Sequence, residues 1–207
     1  MKLLMENWRK FISEELASFA HGDDHAQFVT QNPEATIDTF QRMGADERVL
    51  SIISKYTEGN FRLQELNQIV AVLAGTKPMF YGQISVLTEW SEIDQDCYKS
   101  LPQSTEPTVV LQEQECPNVE IGEFVLNNLD KIGLTYEIVF GAREMIVLGK
   151  PENVAAVVKE VNRVGNSFDG MDKQFHKVLG LALGYPEEDV EKFINDPRAP
   201  TPGDGRK

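Results

Sequence analysis

The chain reads as an α+β protein in which a small antiparallel β-hairpin or sheet is covered by helices and preceded by an N-terminal helical region. Three observations carry that reading. Two apolar runs, Thr135 to Phe140 and Glu144 to Leu148, flank a Gly141-Ala142 turn, as in an antiparallel hairpin. Helical periodicity stands on either side of them, from Ile121 to Ile132 and from Pro151 to Val164, giving the order α-β-β-α. A hairpin alone is marginal in water, so both helices are expected on one of its faces, with a helical corner over 172–195 closing the layer.

Taken in order, Leu3, Leu4, Trp8, Phe11, Ile12, Leu16 and Phe19 recur at helical spacing, so residues 1–20 read as an amphipathic helix whose apolar face needs a partner. Residues 21–33 turn polar around Gly22-Asp23-Asp24 and read as a linker. A single α+β domain is expected over 34–195, helical as far as 75. Asn32 is placed as an N-cap with Pro33 at the first helical position, and Ile37, Phe40 and Met43 form a stripe that Gly44 ends. Asp46 caps a second helix through Val49, Leu50, Ile52, Ile53 and Tyr56. A third runs over 61–74 through Leu63, Leu66, Ile69, Val70 and Leu73 and stops at Gly75. Residues 78–90 fit strand and helix equally well. Residues 91–117, rich in Gln, Glu, Ser, Pro and Asp, read as a long loop. Beyond Asp196 the prolines and glycines predict a disordered tail over 196–207.

The segment from Phe175 to Ile194 carries the clearest local chemistry. Gly184 can end a helix in the left-handed conformation, Pro186 can open the next without losing a hydrogen bond, and Glu187, Glu188 and Asp189 face its positive end. Gly75 and Pro78 repeat the glycine-then-proline pattern after the earlier helix.

At 207 residues the chain can bury one good core. Its net charge of −13 is concentrated between Phe61 and Asp196, with 11 basic against 22 acidic residues, the wrong sign for binding a phosphate backbone. A nucleic-acid partner is therefore not expected. Glu6, Arg9, Lys10, Glu14 and Glu15 interrupt the N-terminal apolar residues too often for a signal sequence or a membrane span. The chain is expected to work inside a cell, or inside something assembled there, and Cys97 and Cys116 are read as free thiols.

Nothing amounts to a catalytic signature, and no metal or cofactor is expected. His21 and His25 stand four apart but have no third ligand nearby, and the three carboxylates at 187–189 are dipole partners before they are acids or bases. Three residues remain as ligand candidates. Lys77 sits in a turn that can present its ammonium and free amides to an anion, without phosphate-loop spacing around it. His176 and Tyr185 flank the Gly184 corner.

Two resemblances add expectations. Leu73-Ala74-Gly75-Thr76-Lys77-Pro78, Arg143 to Val154 and the Phe175 to Ile194 corner resemble, in that order, the domain of unknown function 3793 family of bacteria, over about residues 68–195. Where that family often carries His-Cys-Ala-Pro before its LAG element, this chain has Gln68-Ile69-Val70-Ala71, so any role of that cysteine is missing here. Met1 to Glu15 is similar to leader peptides that direct internal head proteins of large tailed phages into the prohead and are cut after a Leu/Ile-x-Glu tripeptide, here Ile12-Ser13-Glu14. The first resemblance implies a fold and almost no function. The second implies an accessory protein acting by protein binding, through Leu4, Trp8, Phe11 and Ile12, in the host cytoplasm or the virion interior. The other reading of Met1 to Glu15 is an ordinary N-terminal helix docked on the domain or on a second copy. The alternative is a small-ligand protein or enzyme using a corner between Gly75/Lys77 and His176/Tyr185.

Overall fold

Strand β5, Glu144–Gly149, is buried on both faces, and the layering of the molecule follows from that. In the computed structural model, which describes residues 25, 27–60, 64–94, 97, 116, 118–140, 144–164 and 172–195, β5 lies between β1 (Met79–Gln83) and β4 (Thr135–Phe140). All three are antiparallel neighbours. Met79 and Thr135 both pair with Gly149, and at the other end Gln83 pairs with Met145 and Phe140 with Glu144. Side chains alternate across a strand. Ile146 and Leu148 therefore enter one core with Phe80, while Val147 enters a second with Met79 and Val139.

The first core is filled by α1 (Phe28–Gln31), α2 (Pro33–Arg42), α3 (Glu47–Lys55), α4 (Gln64–Leu73), α5 (Ser85–Thr88) and α6 (Ile121–Asn128). Asp46 caps α3 as its sequence position suggests, accepting the Val49 N–H at 3.0 Å. Helix α4 is buried almost all round, and its single interior amide, Asn67, accepts the Val29 N–H at 2.9 Å. The second core is filled by α7 (Pro151–Val164), α8 (Lys173–Ala182) and α9 (Glu187–Asn195). The α+β class stands, with one correction. The helices that bracket the hairpin, α6 and α7, cover opposite faces of the sheet rather than one, because β5 offers apolar side chains to both.

Three further expectations are corrected. The linker over 21–33 is helix at its end: Phe28 and Val29 are buried because α1 docks on α4 through the Asn67 bond. Asn32 stands at the N-cap of α2 with Pro33 first in the helix, as expected, although its side chain makes no cap bond: its amide Nδ2 donates to the Phe28 carbonyl at 3.1 Å, turned back onto the helix it follows. The loop over 91–117 opens with a strand, β2 (Ser91–Ile93), which pairs antiparallel with β3 (Asn118–Glu120). That ribbon brings its flanking residues together, and Cys97 and Cys116 are bridged, not free, with their Cα atoms 5.7 Å apart. Closing a loop of 19 residues contributes about 3 kcal/mol in the chain-entropy account. The ambiguous stretch 78–90 divides into β1 and α5. Residues 1–20, the Gly141-Ala142 turn and the tail over 196–207 lie outside the described residues.

One close approach fixes the ribbon to the helical layer. Gly122, in the first turn of α6, lies so near α5 that a Cβ there would sit 1.7 Å from the Leu87 carbonyl oxygen. Only glycine lets these backbones meet.

On the opposite side an ion network joins α7 to α8. Arg163 Nε donates to Glu160 at 2.6 Å, and its two terminal nitrogens donate to Asp172 at 2.9 and 2.7 Å. Asp172 is also the N-cap of α8, accepting the Phe175 N–H at 2.9 Å. The Arg163 guanidinium and this N–H hold the Asp172 carboxyl down to about 2. A carboxyl lowered on folding adds stability above its unfolded value and loses it as pH falls toward the folded one. This group is therefore expected to act between about pH 4 and pH 2. Asp172→Asn should lower Tm at pH 7 and flatten the stability curve in that acid window, modestly, since both partners are 42% exposed. Calorimetric Tm across that range checks it; identical acid limbs would leave the network without a role in stability.

Candidate functional site

The two glycine–proline turns end their helices by the same hydrogen-bond scheme. After α4, Gly75 takes φ 78°, its N–H donates to Val72, and the N–H groups of Thr76 and Lys77 both donate to Ala71. After α8, Gly184 takes φ 93°, its N–H donates to Leu181, and the Tyr185 N–H donates to Gly180. Pro186 then supplies the carbonyl that accepts from Asp189 and Val190 in the first turn of α9. The turns touch each other. A Cβ on Gly184 would lie 2.7 Å from Pro78 Cγ, so the absence of a side chain at 184 is what admits the Pro78 ring.

Beside this contact stands Lys77. The α4 end directs its side chain back along the helix, where Nζ donates to Gln68 Oε1 at 2.9 Å. A neutral amide is a weak partner for an ammonium, and among the described residues no carboxylate pairs with it. Burial accordingly lowers the lysine to about 8. The Tyr185 phenol is pushed above its ordinary value by burial, as is that of Tyr81 on β1. A desolvated amine titrating near neutrality can hold an anion when charged and act as a nucleophile when neutral.

His176 belongs to a different seam. Its ring packs edge-on against Phe175 at 5.7 Å and Phe193 at 5.6 Å, within the α8–α9 pair. There Gly180 brings α8 so close to Val190 that a Cβ would meet it at 2.8 Å. Of the carboxylates at the start of α9, Glu187 lies 3.5 Å from Lys177, which also pairs with Glu191. The structure thus brings the Gly184 turn to Pro78, while His176 makes its ring contacts with aromatic residues of the α8–α9 pair. His25 stacks on Phe28 at 6.2 Å. Among the described residues no three His, Cys, Asp or Glu gather as a metal site, and no helix is long and apolar enough to cross a membrane. Leu4, Trp8, Phe11, Ile12, Glu14 and His21 lie outside the described residues.

One feature escaped the sequence pattern. An open groove of about 520 Å³ runs between β4 and α7, with Thr135 and Glu137 on the strand side and Val154, Ala155, Val158 and Lys159 on the helix side. Among the described residues β4 is an edge of the sheet, and its Ile138, pointing to the other face, is 36% exposed. The alternation Thr135, Glu137 against Tyr136, Ile138 is visible in the sequence. That β4 is an edge is not, because edge or centre depends on where β1 pairs.

Gly75 and Gly184 share a positive φ, but only Gly184 has a neighbour where its Cβ would be. Gly75→Ala should therefore cost about 1 kcal/mol, and Gly184→Val more than that, since it adds a collision with Pro78 to the strained backbone. Urea unfolding of both variants checks this, and equal costs would mean that the Pro78 contact yields freely. No family profile matches this sequence, and no curated protein or solved structure matches it either, so function rests on the geometry above.

Proposed function

We propose that the protein is a non-enzymatic accessory protein that acts by binding another protein, and that its setting is the one its N-terminus resembles, the interior of a large tailed phage's head. The observation that carries the binding role is the β4 edge. An edge strand presents unpaired backbone groups along one side, and a mixed apolar and polar groove beside it can take alternate side chains of an extended segment. The corner residues, by contrast, serve the fold: Gly75, Gly184 and Pro186 close helix ends, and Pro78 fills the space at Gly184. A disulfide is compatible with a released particle, which lies outside the reducing cytoplasm. The resemblance to the domain of unknown function 3793 family brings no activity with it.

Co-expression with the prohead protease and head proteins of such a phage tests this reading. The expected product is a chain starting at Glu15, by mass, that is incorporated into particles, and Glu137→Lys, on the groove side of β4, should reduce incorporation while leaving the cut unchanged. An uncut chain that stays out of particles would end the virion assignment. Full incorporation of Glu137→Lys would remove the β4 groove from the binding role.

A second reading is favoured by one observation, the desolvated Lys77 whose ammonium donates to the neutral Gln68 amide and, among the described residues, pairs with no carboxylate. It makes the corner a site for a small anion. Binding would need the ammonium, so affinity should be full below about pH 8 and fall as pH rises through that value. Thermal shift with a panel of carboxylates and nucleotides, on wild type and Lys77→Gln, decides: a shift lost in the variant supports the site, and no shift in wild type dismisses it.

A further inference from the structure

The Cys97–Cys116 bond lies just beyond the open end of the shorter of the two sheets among the described residues. β2 and β3 make three cross-strand pairs, Ser91 with Glu120, Glu92 with Val119 and Ile93 with Asn118. A ribbon of this length has little stability of its own. Yet it lies against the centre of the helical layer. β2 begins directly after Trp90, a core residue set edge-on to Phe40 at 6.3 Å and stacked on Tyr56 at 6.4 Å. β3 runs straight into α6, whose Gly122 N–H donates to the Trp90 carbonyl at 2.9 Å. On the far side the Cys97 N–H donates to Asp94 Oδ1 at 3.1 Å, and Asp94 faces Arg48 of α3 at 3.8 Å. The bond is thus the covalent closure of a short ribbon that ties α3, α5 and α6 together.

The two cysteines differ in access. Cys116 is 1% exposed, while Cys97 is partly open to solvent. An attacking thiolate reaches Cys97 more readily.

We propose that Cys97–Cys116 is a redox-operated latch, closed on the β2–β3 ribbon in oxidising surroundings and opened by dithiols without unfolding the sheet. In the opening step one thiolate of a dithiol bonds to Cys97 Sγ as the bond to Cys116 breaks. The electron pair goes to Cys116 Sγ, which takes up a proton. The second thiol of the reductant then attacks the mixed disulfide, releasing Cys97 as a thiol and leaving the reductant as its own disulfide. Oxidised glutathione reverses the sequence and is itself reduced. Opening returns the chain entropy that the closed loop had removed, and the three-pair ribbon then keeps its anchor at the Gly122 end but loses the covalent one at the other, where its backbone bonds and the Asp94–Arg48 pair remain.

Hydrogen exchange on the full-length chain, equilibrated in reduced dithiothreitol or in oxidised glutathione, tests the latch, with thiols counted by alkylation and mass. The expected result is no free thiol in oxidised glutathione and two in dithiothreitol. Exchange over 91–93 and 118–122 should then rise about ten-fold or more on reduction while 146–148 is unchanged, as expected of a local opening. Cys97→Ser with Cys116→Ser should show the open pattern in both buffers. If that double variant does not fold, the wild-type titration decides alone. Two free thiols under oxidising conditions would overturn the latch, as would equal exchange of the ribbon in both buffers. Exchange of 146–148 rising together with the ribbon would overturn it as well, since the bond would then be a staple of the whole fold.

Discussion

A strand buried on both faces cannot be satisfied by one layer of helices. β5 carries Ile146 and Leu148 to one side and Val147 to the other, each of them 0% exposed. At about 25 cal/mol per Å² of apolar surface removed from water, leaving either side open would cost several kcal/mol. The chain meets this demand by splitting its helices between the faces, the larger group before and around the ribbon on one side and α7 to α9 on the other. Everything else is arranged around that division. β1, recruited from the segment after α4, and β4 on the other flank satisfy the backbone of β5 on its two sides.

The glycine–proline turns then act at the boundary between the two layers. α4 belongs to the first layer and α8 to the second, and they end within van der Waals reach of each other, Pro78 against Gly184. A left-handed glycine lets a helix stop abruptly with its last carbonyls satisfied, and a proline two or three residues later cannot continue the helix that has ended. The same chemistry accounts for Lys77. Its place in the turn is set by backbone bonds to Ala71, so its side chain lies along α4 beside Gln68. The lowered value of its ammonium is a consequence of that placement.

The helical layer closes through aromatic rings and the ribbon. Phe40, Trp90, Tyr56 and Phe124 form a set of ring contacts, with Phe40 at 6.1 Å from Phe124 and 6.3 Å from Trp90. Such pairs add to area burial through their edge and face geometry. Trp90 also stands between α5 and β2, so the ribbon and the core share one residue. A short strand pair is retained there because both of its ends are anchored, one at the disulfide and one at the Gly122 contact with Leu87.

The sequence by itself determined what depends on neighbours along the chain. The Asp46 cap, the helix over Pro151–Val164, the strands at Thr135–Phe140 and Glu144–Gly149, and the Gly184–Pro186 corner are all written in residues within a few positions of one another. Periodicity and turn chemistry act at that range, so these were legible. What only the tertiary structure decided involves residues far apart. A linker composition over 21–33 hides α1, because Phe28 and Val29 find their place through Asn67, 38 residues away for the hydrogen bond. Residues 78–90 became strand and then helix because β5 offered an open flank. Cys97 and Cys116 are bridged because β2 and β3 pair, and nothing local announces a three-residue strand. Lys77, Tyr185 and Gly184 were visible as turn residues, but which of them meet, and that the groove lies between β4 and α7 instead, depended on the packing of two layers against one strand. Backbone preferences are short-ranged, whereas burial is a property of surfaces brought together by folding.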